Sequence, residues 1–184
     1  MTTANIFSTD DKTQDWAKLS AAFGMDPFKV LANAKLPTAG SLIYCDGACS
    51  GNGTKASPVG GWGFILMRAS GPMVLGHGRA QPTTNNRMEM TAAIEALKAT
   101  PSGEVVTVRS DSQYMIKGCT EWRKGWVKRG MKNSGGEPVL NPDLWKSLWA
   151  EVDLRKVVFE WVRGHNGNPG NELADRLATY GARA

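Results

Sequence analysis

Four acidic residues of this chain share a type of position that suits catalysis, because each lies where a predicted strand ends or a predicted helix begins. They are Asp46, Glu89, Asp111 and Asp175. A mixed sheet can bring carboxylates at such positions to one edge, where they would repel each other unless cations join them. Oxygen-only ligands select a hard cation, and a few carboxylates with water and substrate phosphate are how Mg²⁺ is usually held. The pattern is therefore compatible with a metal-dependent phosphoryl-transfer site, although it names no substrate.

Each acid also has an ordinary explanation when it is considered alone. Asp46 can serve an Asp-Gly turn, and Asp111 can be the N-cap of the helix that follows it. Glu89 forms an approximate capping box with Asn86, and an acid near a helix start, as at Asp175, compensates the helix dipole. The residue pattern alone does not decide between these explanations and a shared site.

The elements that must position these acids follow from hydrophobic periodicity and turn residues. Predicted strands cover 41–47, 61–69, 72–80, 104–110 and 156–162, and predicted helices cover 85–99, 112–118, 142–152 and 169–180. Two shorter helices are predicted earlier, one over 13–24 and one beginning at Asp26 and Pro27. Three early strands followed by strands that alternate with helices indicate a mixed sheet with helices packed on it. Ligands of such sheets collect at the carboxyl ends of parallel strands.

The composition limits the class of protein. A chain of 184 residues with 41% hydrophobic content supports one domain with a full core plus an appendage. No apolar run approaches the roughly 18 to 20 residues of a membrane helix, and the N-terminus lacks the features of a signal peptide, so a soluble cytoplasmic protein with no membrane partner is expected. The cysteines Cys45, Cys49 and Cys119 lack the spacing of a zinc site and are expected to be free thiols in a reducing compartment.

The net charge of +5 is concentrated in one segment. Residues 121–132 contain five basic residues and one acidic residue, whereas the four lysines of residues 1–40 are balanced by four aspartates. A basic patch of this kind suggests a polyanionic partner.

Five sequence motifs resemble those of the type 1 ribonuclease H family, in the order and at the spacing of that family. They are CDGACSGNG (45–53), TTNNRMEMTAAIEAL (83–97), SDSQY (110–114), EWRKGWVKRG (121–130) and WVRGHNGNPGNELADRLA (161–178). The resemblance implies an α/β (α+β) ribonuclease H-like fold, a five-stranded mixed sheet flanked by helices in which strands one, four and five are parallel. It also implies a catalytic domain over 41–184, preceded by an N-terminal extension, residues 1–40, of short helices and unknown role. The activity that it implies is endonucleolytic cleavage of the RNA strand of RNA/DNA hybrids.

The resemblance assigns roles to the acids and to one histidine. The four catalytic carboxylates of the family are matched by Asp46, Glu89, Asp111 and Asp175. This match implies two Mg²⁺ ions in the presence of substrate, or Mn²⁺ as a substitute. In two-metal catalysis one ion activates a water and the other stabilises the departing 3′ oxygen, so the products carry 5′-phosphate and 3′-hydroxyl ends. His165 matches the mobile histidine of the family, which is associated with proton transfer or with product and metal release. His77 matches no motif and is predicted to be an ordinary surface residue.

Contacts with the hybrid are implied in the same way. Asn52, Asn85 and Gln113 match positions that contact the minor groove or 2′-hydroxyls. Amide side chains suit this task because they donate and accept hydrogen bonds without adding charge. Thr84 and Asn141 match positions that seat a phosphate of the DNA strand.

The basic segment matches the basic protrusion of the family, which holds the duplex through phosphate contacts and packing. Its predicted site residues are Trp122, Lys124, Trp126, Lys128 and Arg129. Trp126 also suits a scaffold role while Lys128 and Arg129 bind. The family often has asparagine at the position of Gly125 and lysine at that of Val127, so a somewhat lower hybrid affinity is expected.

The N-terminal extension does not resemble the hybrid-binding domain of the family, which is basic and rich in exposed aromatic residues. Its aromatic residues Trp16, Phe23 and Phe28 lie on apolar helix stripes, so the extension is expected to pack on the core or to bind a protein partner. A monomer is expected.

Two other functions remain open from the sequence. The first is a DNA strand-transfer or resolving nuclease of the same fold, which the amide residues and the basic protrusion oppose. The second is a module that binds hybrids without cutting them, which the presence of all four acids opposes.

Overall fold

A mixed sheet of six strands organises the residues that this computed structural model describes, namely 3–8, 14–24, 26–31, 37–50 and 57–184. The strands are β1 Thr3–Ser8, β2 Ser41–Ser50, β3 Val59–Arg68, β4 Val74–Ala80, β5 Val105–Ser110 and β6 Lys156–Trp161. The helices are α1 Gln14–Phe23, α2 Pro27–Val30, α3 Asn85–Lys98, α4 Gln113–Lys117, α5 Arg123–Lys128, α6 Pro142–Asp153 and α7 Pro169–Arg183. A π-helical turn, Gly118–Trp122, joins α4 to α5. Within the described ranges, no helix has the length and apolar character needed to cross a bilayer.

The strand order places the three parallel strands together on one side of the sheet. The order is β1-β4-β3-β2-β5-β6. Strands β2, β3 and β4 form an antiparallel meander, and β5 and β6 continue the sheet parallel to β2. The predicted mixed sheet and its flanking helices are confirmed. The predicted parallel set is also confirmed, since the first, fourth and fifth predicted strands correspond to β2, β5 and β6.

The prediction of five strands was wrong because the N-terminal extension supplies a sixth. Strand β1 pairs antiparallel with β4, in a register that runs from Thr3 opposite Arg79 to Ser8 opposite Val74. The segment TANIFS has no clear alternation of apolar and polar residues, so periodicity gave no strand signal there. Its conformation is determined by β4, whose outer edge would otherwise leave a row of unpaired backbone groups.

Helix α3 covers one face of the sheet. Its predicted apolar stripe, Met90, Ala93, Ile94 and Leu97, is buried in a cluster with the side chains of β2 and β3. Helix α6 packs against α3 and contributes the buried Trp145 to the same cluster. This packing fixes α3 beside β2 and so sets where the side chain of Glu89 can reach.

Helix α7 crosses the opposite face of the sheet at very short range. A Cβ atom at Gly63 would lie 2.6 Å from the carbonyl oxygen of Ala174, so only glycine allows the backbone of β3 to approach the helix this closely. Leu173 and Leu177 of α7 are buried against this face. The position of Asp175 is therefore fixed by direct contact between the helix and the sheet.

The N-terminal extension packs on the same face as α7. Phe7, Leu19 and Leu31 are buried in a cluster that also contains Leu177 of α7. Helix α2 begins as predicted, because the Asp26 side chain accepts a hydrogen bond of 3.0 Å from the backbone N–H of Phe28. Phe23 and Phe28 are partly buried against the cluster, and the side chain of Trp16 lies outside the described residues.

The prediction that His77 is a surface residue was wrong. Its side chain is 3% exposed, stacked on Phe7 at a ring distance of 5.7 Å and in edge contact with Tyr180 at 5.0 Å. Its Nδ1 atom has no hydrogen-bond partner among the described residues. Burial lowers the pKa of His77 from 6.5 to about 4. The burial was not predictable from the motifs because Phe7 belongs to the unpredicted strand β1.

We expect the free energy of unfolding to fall as the pH is lowered from 6.5 towards 4. In this range His77 binds a proton in the unfolded chain but not in the folded protein, which favours unfolding. The folded pKa is depressed, so the contribution of neutral His77 is complete above pH 6.5 and is lost as the pH falls through about 4. The loss amounts to at most about 3 kcal/mol. Denaturant unfolding of His77→Phe across this range should show a weaker pH dependence than that of the parent protein. His165→Gln, at the exposed second histidine, should leave the dependence unchanged, and an equal change in both variants would contradict the assignment.

Candidate active site

Three of the predicted acids converge just beyond the point where the parallel pairing of β2 with β5 ends, at Tyr44 opposite Arg109. Asp46 lies in β2, Asp111 directly follows β5, and Glu89 lies in α3. One ligand atom from each of the three lies within 4.8 Å of the other two. Asp175 of α7 lines the same cavity, which has a volume of about 490 Å³. The structure therefore brings all four predicted carboxylates around one cavity.

Glu89 reaches this cavity because α3 touches the backbone of β2. A Cβ atom at Gly47 would overlap the backbone nitrogen of Glu89, so the contact requires glycine. The Glu89 carboxylate accepts a hydrogen bond of 2.9 Å from the Asn85 amide and a second one from the Ser112 hydroxyl. The predicted capping box was wrong, since the N-cap of α3 is Thr84, whose hydroxyl accepts from the backbone N–H of Arg87. Glu89 is directed to the strand ends and not to its own helix terminus.

Asp111 is held between the start of α4 and the loop that follows β6. Ser112, and not Asp111, is the N-cap of α4, because its hydroxyl accepts from the backbone N–H of Met115 at 3.3 Å. The Trp161 indole donates a hydrogen bond of 3.1 Å to the Asp111 carbonyl. A Cβ atom at position 164 would overlap the Asp111 carboxylate, so the loop can come this close to Asp111 only because residue 164 is glycine. The side chain of Asp111 is therefore available to a ligand.

His165 belongs to the loop between β6 and α7 and lies at the same cavity as the acids. It is exposed and has a left-handed backbone, with φ of 50°. The loop is tied to α7, because Glu172 accepts from the backbone N–H of Gly167 at 2.8 Å and the Asn168 side chain caps the helix. The imidazole thus sits on an anchored loop beside the cavity.

The electrostatics of the site favour the neutral forms of its two buried acids. Burial, and then the charge of Asp111, raises the pKa of Asp46 to about 8, although the Gly47 N–H donates to its carboxylate at 2.7 Å. Burial also raises the pKa of Glu89 to about 7, with a further increase from Asp111 and an opposing hydrogen bond from Ser112. Within the part of the chain that the structure describes, no basic side chain forms an ion pair with these three acids.

This donor set fits a divalent metal. It offers only carboxylate oxygens at close range, it lacks a described cationic partner, and the raised pKa values of Asp46 and Glu89 show that their ionised forms are unfavourable without added positive charge. Hard cations such as Mg²⁺, Mn²⁺ and Ca²⁺ prefer ligands of this type.

The predicted substrate contacts fall in two places. Asn85 and Gln113 line the cavity with the acids. Thr84 and Asn141 do not line that cavity, and both are hydrogen-bonded to Arg87. The Thr84 hydroxyl accepts from its backbone N–H and the Asn141 side chain accepts from its guanidinium at 3.3 Å. Asn52, predicted to join the first group, lies outside the described residues.

The basic protrusion divides into a buried scaffold and an exposed charged surface. Trp126 is 8% exposed and its ring lies 5.3 Å from those of Trp122 and Trp145, so it is part of the core. Trp122 is half-buried. The exposed basic side chains are Lys124, Lys128 and Arg129.

Three residues that shape the site were not predicted from the sequence, namely Ser112, Trp161 and Gly164. A serine at a predicted helix start signals an N-cap, so Ser112 could have been identified as a structural residue, although its contact with Glu89 could not. The contacts of Trp161 and Gly164 with Asp111 depend on how the loop after β6 lies on β5, which no local pattern encodes.

Comparison with known proteins agrees with this arrangement. The family profile described as RNase H matches residues 38–183. The chain is 52% identical over 136 residues to a ribonuclease H of Geotalea uraniireducens, covering 74% of this chain and 89% of that protein. It is 51% identical over 140 residues to one from Cupriavidus pinatubonensis, covering 76% and 93%. Among solved structures, LC9-RNase H1, described as a type 1 RNase H with the type 2 active-site motif, is similar with a TM-score of 0.68 and 32% identity, over 82% of this chain and 75% of that one.

The sheet, its flanking helices and the acidic cavity define a nuclease of the ribonuclease H fold. The chain belongs to the ribonuclease H family, and the predicted resemblance is confirmed. It is an endonuclease that hydrolyses the RNA strand of RNA/DNA hybrids.

We expect Asp46→Asn to stabilise the metal-free protein at pH 8 and to have little effect on stability at pH 4. The folded pKa of Asp46 is raised from 3.8 to about 8, so its stabilising contribution is complete below pH 3.8 and is lost as the pH rises through about 8. Asparagine keeps the hydrogen bond from Gly47 and carries no charge, which gives a gain of roughly 1 to 3 kcal/mol at pH 8. The measurement is urea unfolding in EDTA at both pH values.

Asp153→Asn is the matched control for this experiment. Asp153 is exposed, pairs with Arg123 and has a lowered pKa, so its substitution should be neutral or slightly destabilising. A loss of stability at pH 8 in Asp46→Asn would show that the carboxylates do not repel each other as inferred.

Proposed function

We propose that the acidic cavity of Asp46, Glu89, Asp111 and Asp175 is where this ribonuclease H cleaves, with water as the nucleophile and 5′-phosphate and 3′-hydroxyl ends as products. The observation that carries this proposal is the approach of three carboxylates to within 4.8 Å with no described cationic partner. Such a site gains stability by binding cations, and a phosphodiester with its own negative charge can enter only when cations are present.

The same four acids would hold two Mg²⁺ ions in the presence of substrate, with Mn²⁺ as a substitute. When bound, such ions increase the acidity of water and stabilise charge on the attacking and leaving oxygens. The donors in the cluster of Asp46, Glu89 and Asp111 are carboxylates alone, with no imidazole or thiolate, which favours hard cations of this kind over softer metals such as Zn²⁺.

The surrounding side chains keep this site in order. Ser112 and Asn85 hold both oxygens of the Glu89 carboxylate, so this side chain presents a fixed geometry. His165 is exposed at the cavity and can exchange protons with solvent, so we assign it proton transfer at the attacking water or the leaving oxygen.

Recognition of the hybrid is assigned to neutral amides close to the acids. Asn85 and Gln113 line the cavity and can read 2′-hydroxyls by donating and accepting hydrogen bonds, and Asn52 is proposed for the same task. Thr84 and Asn141 are proposed to seat a DNA phosphate. Arg87 supports Asn141 and is itself fixed by Asp143, with contacts of 3.0 and 2.7 Å.

The exposed basic side chains of the protrusion are proposed to bind backbone phosphates of the hybrid. Lys124, Lys128 and Arg129 project from a segment whose buried face is the tryptophan cluster of Trp122 and Trp126. The buried cluster fixes the backbone from which these side chains project, while the charged groups themselves remain exposed to a phosphate.

The enzyme is proposed to act as a cytoplasmic monomer. Among the described residues its cysteines Cys45, Cys49 and Cys119 form no disulfide, which suits a reducing compartment. Light scattering of the purified protein tests the monomer, and a dimer at enzymatic concentrations would contradict it. Cell fractionation tests the location, and recovery of the enzyme outside the cytoplasmic fraction would contradict it.

We expect an end-labelled RNA/DNA hybrid to be cut only in its RNA strand, and only with Mg²⁺ or Mn²⁺ present. EDTA should abolish cleavage, and Asp46→Asn should reduce it by at least about 100-fold, since metal-assisted stabilisation of the transition state amounts to several kcal/mol. Asp153→Asn, an acid paired with Arg123 away from the cavity, should retain activity.

Matched RNA and DNA duplexes separate the alternatives in the same assay. Cleavage of the DNA duplex would indicate a DNA nuclease of this fold. Tight hybrid binding without cleavage in either metal would leave a recognition module that has lost its chemistry.

We expect Lys128→Ala and Arg129→Ala to weaken hybrid binding through lost phosphate contacts. Each should lower the slope of log affinity against log salt concentration by about 1. The measurement is fluorescence anisotropy with a labelled hybrid at several salt concentrations, in an Asp46→Asn background that prevents cleavage. Lys98→Ala, at an exposed lysine paired with Glu95, is the control and should leave the slope unchanged. An unchanged slope in both test variants would show that the hybrid does not reach the protrusion.

A further inference from the structure

We infer that a groove between the N-terminal extension and α7 binds single-stranded RNA that continues from the hybrid beyond the cleavage site. We call it the α1–α7 groove, and its volume is about 820 Å³. The residues that form its binding surface are Phe23 of α1 and Asp175, Arg176, Thr179, Tyr180 and Arg183 of α7. The inference rests on the proposed function, because it extends the surface that would receive the substrate.

The groove lies next to the active site. Asp175 lines both the acidic cavity and the α1–α7 groove, so the two share a wall. The scissile phosphate of the RNA strand must lie at the acids for cleavage to occur. The strand that can pass from Asp175 into the groove is therefore the RNA strand and not its DNA complement.

The charge of the groove suits a phosphate backbone. Arg176 and Arg183 are exposed and lie seven residues apart on α7, which places them on one side of the helix about 10 Å apart along its axis. Arg183 makes no ion pair among the described residues, so its charge is available. Thr179 lies between the two arginines and adds a hydroxyl. Two guanidinium groups along a channel can follow consecutive phosphates of an extended strand.

The groove also offers an aromatic surface for bases. The Tyr180 ring is half-buried, in edge contact with Phe23 at 5.8 Å and with His77 at 5.0 Å, so it is fixed from two sides. Aromatic rings beside basic side chains bind single strands with little sequence preference, since every base has a face that can stack. A duplex would not use such a surface because its bases are already stacked.

The N-terminal extension contributes one wall of this groove through Ala22 and Phe23. The family profile begins at residue 38, so this wall lies outside the matched part of the chain. The groove thus gives the extension a role in substrate binding that is distinct from the recognition of a duplex.

The test compares a blunt RNA/DNA hybrid with the same hybrid carrying a single-stranded RNA extension at its 5′ or its 3′ end. Binding is measured by fluorescence anisotropy in EDTA, and KM and kcat are measured with Mg²⁺. For the parent protein we expect one of the two extended hybrids to bind about tenfold more tightly than the blunt one, since contacts of one or two bases and phosphates add this much. The gain should appear in KM, with kcat unchanged.

The double variant Arg176→Ala, Arg183→Ala should lose this gain in affinity. Arg183→Glu should bind the extended hybrid more weakly than the blunt one. Lys156→Ala, at an exposed lysine on the far edge strand β6, is the control and should retain the gain. Equal affinity of the parent protein for blunt and extended hybrids would overturn the inference. An equal loss on both substrates in the double variant would also overturn it, because it would indicate ordinary attraction to the duplex.

The two proposals fail separately. Cleavage of the blunt hybrid with no preference for an extension would support the ribonuclease activity and contradict the binding of single-stranded RNA in the groove. Preferred binding of an extended hybrid without any cleavage would contradict cleavage at the acidic cavity and support the binding of single-stranded RNA in the groove.

Discussion

Ionising Asp46 and Glu89 in a buried site, beside a third carboxylate, has a free-energy cost that the surrounding structure must offset. Asp46 and Glu89 are less than one tenth exposed, and Asp111 lies within 4.8 Å of both. Isolated buried charges are unfavourable, so the pKa values of the two buried acids are raised and only cations can make the ionised forms stable. The fold compensates through well-packed elements on both sides of the sheet, which keep the acids in position even though they do not stabilise each other.

Glycine at helix–sheet contacts is how that position is achieved. Gly47 allows α3 to approach β2, Gly63 allows α7 to approach β3, and Gly164 allows the last loop to approach Asp111. The first contact sets the distance between Asp46 and Glu89, the second places the helix that carries Asp175, and the third places the loop of His165 beside Asp111. A side chain at any of these positions would push a helix or loop outwards and widen the site, so the backbone contacts are part of the metal-binding geometry.

Helix α7 connects the catalytic centre to the N-terminal extension. Asp175 of this helix lines the acidic cavity, and Leu177 is buried in the cluster that contains Leu19 of the extension. The Tyr180 ring contacts His77 and Phe23. The extension thus stabilises the helix that holds one of the acids. On the other side of the sheet, the tryptophan cluster around Trp126 stabilises the basic protrusion. Trp126 packs against Trp145 of α6, so the segment that carries the basic side chains is attached to the main core.

Local patterns in the sequence were enough to predict β2 to β6 and the helices α1 to α4, α6 and α7. The apolar runs bounded by turn residues, the stripes of α3 and α7, and the motifs that carry the four acids are recognisable without coordinates. The tertiary structure decided which of the local alternatives was real. Glu89 serves the site and not a capping box because α3 packs on Gly47, and the N-cap role considered for Asp111 belongs to Ser112. Strand β1 and the burial of His77 also emerged only there, since TANIFS has no pattern of its own and becomes a strand by pairing with β4. Contacts between residues far apart in the chain depend on how whole elements pack, and periodicity within one element carries no information about that packing.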